Sequence, residues 1–159
     1  MNTIREQLST DVVSYRKPIV VLDTDDTYLA SVMESGTMFV LAKADGIVVT
    51  LPVTADVGTY FDFMVATTVT SNVYQIITYT TASELLVGKI ISCATDNSNV
   101  TTAYPALVGS SYVSVDMDGS TTGGVKGDSI RVTKINATTW EVYGNINATG
   151  VVATPFAVA

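Results

Sequence analysis

The sequence contains no histidine. It therefore lacks the side chain that most often serves as a general base near neutral pH and as a zinc ligand. Ser-His-Asp and Cys-His catalytic arrangements are excluded for the same reason. Glycine-rich phosphate loops and dinucleotide-binding motifs are absent as well. We therefore predict that the protein is not an enzyme, and that it has no cofactor and no metal site.

Cysteine is also scarce, since the chain has only Cys93. A single cysteine excludes an intramolecular disulfide framework. Its position in the apolar run 90–94 favours a buried thiol over a reactive one. No run approaches the roughly 18 apolar residues of a membrane-spanning helix, and the N-terminus lacks the pattern of a signal peptide. We expect no membrane partner.

Charged residues make up only 14% of the chain, and the formal net charge is −7. An acidic body repels the phosphate backbone, so a nucleic-acid partner is not expected. Residues 1–18 differ from the rest because Arg5, Arg16 and Lys17 outnumber the two acids there. We interpret 1–18 as an N-terminal extended arm and 19–159 as one domain.

Hydrophobic residues are plentiful, at 47% of the chain, and Val and Thr are frequent while Leu is scarce. This residue usage is typical of pleated sheet. Short alternating stretches separated by turn residues continue along the whole domain. We predict an all-β fold, a single antiparallel β-sandwich or barrel built of hairpins.

The clearest hairpin surrounds Asn136. Ile130 and Val132 on one side, and Trp140 and Val142 on the other, have the two-residue period of half-buried strands. A turn centred on Asn136 would pair Ile130 with Val142 and Val132 with Trp140. The opposite face would then carry Arg131 and Glu141.

A second hairpin is predicted around the turn Ala44-Asp45-Gly46, with Phe39 and Ile47 on its inner face. Its other face is also apolar, because Met38 and Val40 alternate with the inner residues. The next strand has Tyr60 and Met64 on its outer side. We expect a second sheet or a neighbouring subunit to cover this outer surface.

The last nine residues, 151–159, are almost wholly apolar. Exposed to water they would promote aggregation, so we predict that this tail docks on its own body or on a partner. The candidate interaction residues are Arg5, Arg16, Lys17, Met38, Val40, Tyr60, Met64, Pro155 and Phe156.

Two acidic fragments, Asp23-Thr24-Asp25-Asp26 and Asp116-Met117-Asp118-Gly119, offer oxygen ligands for a cation. Neither is followed by the further ligands of an EF-hand calcium loop. Aspartate side chains commonly bond to nearby backbone amides in turns. We therefore interpret both fragments as turns.

An ordered set of residues carries a family resemblance. It comprises Glu34-Ser35-Gly36-Thr37 with Phe39 and Leu41, then Gly46 and Val49-Thr50-Leu51-Pro52, Gly58 with Phe61, Phe63 and Val65, Gly127-Asp128 with Ile130 and Val132, Trp140, Val142 and Gly144, and Thr154-Pro155-Phe156. Over roughly residues 34 to 156 the chain resembles small β-rich virion proteins of tailed bacteriophages, and among them head decoration (cement) proteins.

The resemblance implies a structural component on the capsid exterior. Such proteins commonly form homotrimers that brace junctions between major capsid protein subunits. An alternative from another class is a tail-fibre or spike module that binds host surface glycans. That function would need exposed aromatic side chains. The loop-like candidates are Tyr28, Tyr79, Tyr104 and Tyr112.

Overall fold

The structure is a computed structural model that describes residues 17–96 and 100–158. These residues contain twelve strands and one short 3-10 helix, Val32–Glu34. The strands are β1 Ile19–Leu22, β2 Thr27–Leu29, β3 Met38–Leu41, β4 Ile47–Thr50, β5 Tyr60–Val65, β6 Tyr74–Ile77, β7 Leu85–Ala94, β8 Thr101–Ala106, β9 Tyr112–Met117, β10 Ser129–Asn136, β11 Thr139–Ala148 and β12 Phe156–Val158. Most of the predicted arm, including Arg5 and Arg16, lies outside the described residues.

The strands form two sheets with a shared core. The larger sheet has the order β1-β3-β5-β10-β11-β7-β8, and the smaller has the order β12-β9-β6-β4-β2. The predicted all-β, sandwich-like fold is confirmed. Both sheets are mixed, however, because β1, β3 and β5 are parallel neighbours, as are β2, β4 and β6.

The first six strands alternate between the two sheets along the chain. The predicted hairpin of β3 and β4 is therefore wrong, because the turn at Gly46 carries the chain from one sheet to the other. Phe39 and Ile47 both face the core, as alternation predicts, but from opposite sheets. Alternation of apolar and polar residues predicts which side of a sheet a residue occupies, but it does not predict which strand lies beside its own strand.

Aromatic side chains connect the two layers. Tyr28 of the smaller sheet packs against Phe39 of the larger one, with ring centroids 5.3 Å apart. Phe39 stacks on Phe63 at 5.5 Å, and Phe61 lies 6.3 Å from Trp140. Burial of these rings removes apolar surface from water, and the contacts between the rings add to this stabilisation.

The hairpin of β10 and β11 exists, but its register differs from the prediction. Val132 pairs with Val142, and Lys134 pairs with Trp140, around the two-residue turn at 137–138. The Thr138 amide donates to Asn136 Oδ1 at 2.9 Å, which stabilises this tight turn. A shift of two residues preserves the predicted faces, since side chains alternate with a period of two.

The apolar tail docks on its own body. β12 pairs antiparallel with β9, and Pro155 and Phe156 are buried. The Asp116 amide also donates to the Pro155 carbonyl at 2.7 Å. The tail thus completes an edge of the smaller sheet.

The predicted burial of Cys93 is wrong, because its side chain is exposed. β7 places Ile90 and Ser92 inward, so alternation directs Cys93 outward. Because the run 90–94 is apolar on both sides of the strand, the sequence did not reveal which of its residues face inward.

Candidate interaction face

The seven-stranded sheet has one side against the core and one side away from it, which we term the outer face. Cross-strand partners project on the same side of a sheet, so the register defines rows across the outer face. Beside the row of Tyr60, Thr133, Glu141 and Val87 lie two rows that reach β1. The first row is Ile19, Met38, Asp62, Arg131, Tyr143, Lys89 and Pro105. The second row is Val21, Val40, Met64, Ser129, Asn145, Ile91 and Ala103.

The end of the outer face formed by β1, β3 and β5 is apolar. Ile19 is 62% exposed, Val21 54% and Met64 40%. Met38 and Val40 lie between them and are half-buried. This end of the face forms a continuous apolar patch, because these side chains are direct neighbours in the two rows.

The centre of the outer face is charged. Asp62 is only 8% exposed. Arg131 binds it with two contacts, Nε to Oδ1 at 2.5 Å and Nη2 to Oδ2 at 2.7 Å. Lys17 Nζ contacts Asp62 Oδ2, the same oxygen that Arg131 Nη2 contacts. The Arg131 guanidinium also lies 5.1 Å from the ring centroid of Tyr60. One carboxylate thus contacts two cations, and Lys17, Asp62 and Arg131 together carry a net positive charge.

The surroundings of Lys17 disfavour its charged form. Desolvation by burial, followed by repulsion from Arg131, lowers the pKa of Lys17 from its usual value. Both causes act on the charged ammonium form. The ammonium form of Lys17 is therefore less favoured here than in open solvent.

A cavity of about 330 Å³ opens at this centre. Its wall combines the charged residues Lys17, Asp62 and Arg131 with Met38, Met64 and Tyr143. Ser129 and Asn145 add polar groups to the same wall. Apolar walls with a few convergent polar groups are the usual composition of a binding site.

The structure brings five of the predicted interaction residues together on the outer face: Lys17, Met38, Val40, Tyr60 and Met64. Pro155 and Phe156 are instead buried in the chain's own body. Sequence reasoning placed Arg131 on the outward side of its hairpin without joining it to this face, and it missed Ile19, Val21, Tyr143 and Asn145 as members. The outward phase of their strands was a usable signal for each of them.

The four tyrosines proposed for glycan contact do not form an exposed cluster. Tyr28, Tyr104 and Tyr112 pack against the core. Burial and the hydrogen bond to Glu34 raise the pKa of Tyr28 to about 12. Only Tyr79, among these four, is substantially exposed.

Residues 23–26 lie in the irregular segment between β1 and β2, and Asp118 begins the turn after β9, but Asp116 and Met117, which were predicted to lie in a turn, belong to β9. Asp118 Oδ1 accepts hydrogen bonds from the amides of Ser120 at 2.8 Å and Thr122 at 3.0 Å. Asp26 pairs with Lys43, and Asp116 accepts from Gln75. Within residues 17–96 and 100–158, no group of three or more His, Cys, Asp or Glu side chains is placed to hold a metal ion.

A fully buried carboxylate, that of Asp128, lies directly before the first residue of β10. Asp128 accepts hydrogen bonds from the amides of Gly124 at 2.9 Å and Val125 at 3.0 Å, and from both the amide and Nδ2 of Asn147 at 2.8 Å. Desolvation by burial raises the pKa of Asp128, while these donors oppose the shift. We assign it a structural role, since it joins the 123–127 turn to β11.

No protein-family model matches the chain, and no curated protein sequence matches it. In the described part of the chain, no helix has the length and apolar character needed to cross a membrane.

Proposed function

We propose that this chain is a structural protein of a tailed-phage virion, specifically a head decoration (cement) protein. It binds the exterior of the capsid through the major capsid protein, associates with itself as a homotrimer, and stabilises the shell. Its role is mechanical and uses no catalytic group. The resemblance of residues 34 to 156 to small virion proteins supplies the class.

The apolar patch of the outer face is the observation that supports this proposal most strongly. Ile19 and Val21 of β1 and Met64 of β5 are exposed, and the half-buried Met38 and Val40 of the intervening β3 connect them across the sheet. Monomeric soluble proteins seldom expose contiguous apolar surface beyond about a few hundred Å², and larger patches mark interaction sites. Burying such a patch against a shell or a second copy would contribute free energy to the assembly.

A binding experiment with particles that lack the protein tests the proposal. Wild-type protein should co-sediment with these particles and raise the temperature at which their shells open. Met64→Glu, which places a charge in the patch, should weaken binding. Val151→Glu is the matched control, because Val151 is exposed outside the outer face. A stable monomer that fails to bind the particles would contradict the proposal.

The N-terminal residues can be tested separately. A deletion of residues 1–16 retains Lys17, and it retains the hydrogen bond from the Met38 amide to the Pro18 carbonyl at 2.8 Å. We expect the β-body to remain folded and attachment to the particle to weaken. Unchanged attachment would show that residues 1–16 have no part in it.

One observation favours a second candidate, a tail-fibre or spike module that binds host glycans. Tyr60 and Tyr143 are exposed on the outer face beside Arg131, and Asn145 lies in the adjacent row. Exposed rings next to planar polar side chains suit sugar binding. A glycan-array signal lost in Tyr143→Ala but retained in Tyr104→Ala, with the protein located on the tail, would favour this function over decoration.

A further inference from the structure

We propose that the cavity at the centre of the outer face binds a carboxylate of an aspartate or glutamate side chain, supplied by the protein partner on which the outer face docks. The identity of that partner rests on the proposed function. The chemistry of the site rests on the arrangement of Lys17, Asp62 and Arg131.

The donor count is the first argument. A guanidinium has five N–H donors and an ammonium has three. Arg131 uses two donors on Asp62, and Lys17 uses one on the same carboxylate. Among the contacts of the described residues, most donors of the two cations are therefore unused, although both side chains line the cavity. An acceptor-rich anion would bind them.

Charge is the second argument. Two cations and one anion leave a local charge of about +1 on a chain whose formal net charge is −7. Asp62 itself lines the cavity, and both of its carboxylate oxygens already contact the two cations, so a further anion would bind through the donors that Asp62 leaves unused. A second carboxylate entering from solvent would make charge-assisted hydrogen bonds to Lys17 and Arg131.

The surroundings of the cations favour a side chain over a free anion. Met38 and Met64 line the same cavity, and the apolar patch of β1, β3 and β5 continues from it. A protein surface can bury apolar groups on the patch while one acidic side chain enters the cavity. Interfaces of this kind combine an apolar area with a few charged contacts that fix register.

A titration tests the chemistry without any particle. Capped glutamate (N-acetylglutamate methylamide) is added to the full-length protein, and the Arg131 Nε–H and the Met64 and Asn145 amides are followed by NMR. We expect saturable shifts with capped glutamate and none with capped glutamine. Absence of shifts at the Arg131 Nε–H would overturn the inference.

Substitutions at Lys17 and Asp62 should change the affinity for capped glutamate in opposite directions. Lys17→Gln should weaken capped-glutamate binding by at least about tenfold, because it removes one of the two cations. Asp62→Asn should strengthen binding, because it removes the internal carboxylate that competes with the ligand. Lys89→Gln is the matched control, since Lys89 lies in the same row beyond Tyr143. If Asp62→Asn weakened binding as much as Lys17→Gln did, the cluster would be structural and the proposal wrong.

Two other occupants are outcomes of the same titration. Tighter binding of glucuronic acid than of capped glutamate would reassign the cavity to an acidic saccharide and overturn the assignment to a protein side chain. Stronger capped-glutamate binding after the joint change Glu6→Gln and Asp11→Asn would reassign it to the chain's own N-terminal residues.

The particle assay then separates the two proposals. If wild type binds particles but Lys17→Gln binds them equally well, the inference fails and the decoration function stands. If capped glutamate binds as expected but wild type does not bind particles, the decoration function fails and the carboxylate site stands.

Discussion

Lys134 lies against Trp140 across the β10–β11 hairpin, with its ammonium 4.9 Å from the centroid of the indole ring. Lys134 is buried, and its Nζ contacts the buried carboxylate of Glu84. The Glu84 Oε2 atom also accepts from the Thr80 amide at 3.3 Å. A cation–π contact and a buried ion pair thus connect β10 to the segment that precedes β7.

The buried pair predicts a non-additive double-mutant cycle. Glu84→Gln leaves the Lys134 ammonium buried without its counter-ion, so the free energy of unfolding should fall by about 3–5 kcal/mol. The double variant Glu84→Gln with Lys134→Met should lose less than the sum of the single losses, because it leaves no isolated charge. Urea unfolding of the four proteins measures this. Additive losses would show that the two groups do not interact.

At Gly88, β7 approaches β11 so closely that we expect only glycine to fit. Gly88 pairs with Val142 and has φ of +133°, and a Cβ there would lie 1.9 Å from the Val142 carbonyl oxygen. Gly88→Ala should therefore lower the free energy of unfolding by about 3–5 kcal/mol.

Gly127→Ala is the matched control for Gly88→Ala. Gly127 also has positive φ, at +101°, but nothing lies within 4 Å of its Cβ position. Gly127→Ala should lower the free energy of unfolding only by the cost of the positive φ, about 1–2 kcal/mol. Equal losses in the two variants, measured by urea unfolding, would contradict a steric role for Val142.

Alternation along single strands predicted more of this fold than any longer-range feature did. The inward phase of β10 and β11 was correct at Ile130 and Val142, since burial depends on the local period. Pairing was not predictable in the same way. β1, β3 and β5 are parallel neighbours joined through strands of the other sheet, so no short turn specifies their register.

The composition of the outer face was equally difficult to predict, because it also depends on strand pairing. The outward phase of Met38 and Met64 was visible in the sequence, but their meeting with Tyr143 depends on β5 lying beside β10, far along the chain. The Lys17–Asp62 contact likewise joins residues with no local relationship. Sequence patterns predict which residues face outward, and tertiary pairing decides which of them become neighbours.

The turn at Asp118 predicts a pH dependence. Burial alone would raise the pKa of Asp118, but hydrogen bonds from Thr122, Thr121 and Ser120 outweigh it and lower the pKa. Because the folded-state pKa lies below the unfolded value of about 3.9, the ionised carboxylate stabilises the fold fully above that value. This stabilisation is lost as the pH falls through the folded-state pKa.

Asp118→Asn should therefore be less stable than wild type at pH 7 by about 1–3 kcal/mol, since it replaces a charged acceptor with a neutral one. The difference should shrink as the pH is lowered below about 3.9 and through the folded-state pKa, where wild type loses the charge as well. Urea unfolding across this range measures it. Asp23→Asn removes an equal charge from an exposed turn and serves as the control. If the stability difference between Asp118→Asn and wild type grew at low pH, the predicted direction of the Asp118 pKa shift would be wrong.

Phe156 distinguishes a tail that belongs to its own body from one that belongs to a neighbour. Its ring lies 5.5 Å from that of Tyr112, and the side chain is buried. Phe156→Ala should lower the free energy of unfolding by about 3–5 kcal/mol, the usual cost of removing a buried aromatic side chain. Val158→Ala, at an exposed position of the same strand, should change it by no more than about 0.5 kcal/mol. Denaturant unfolding, repeated over a range of protein concentrations, makes the comparison. If Phe156→Ala unfolded like wild type at low concentration but lost self-association, the tail would have to pack on a second copy in solution.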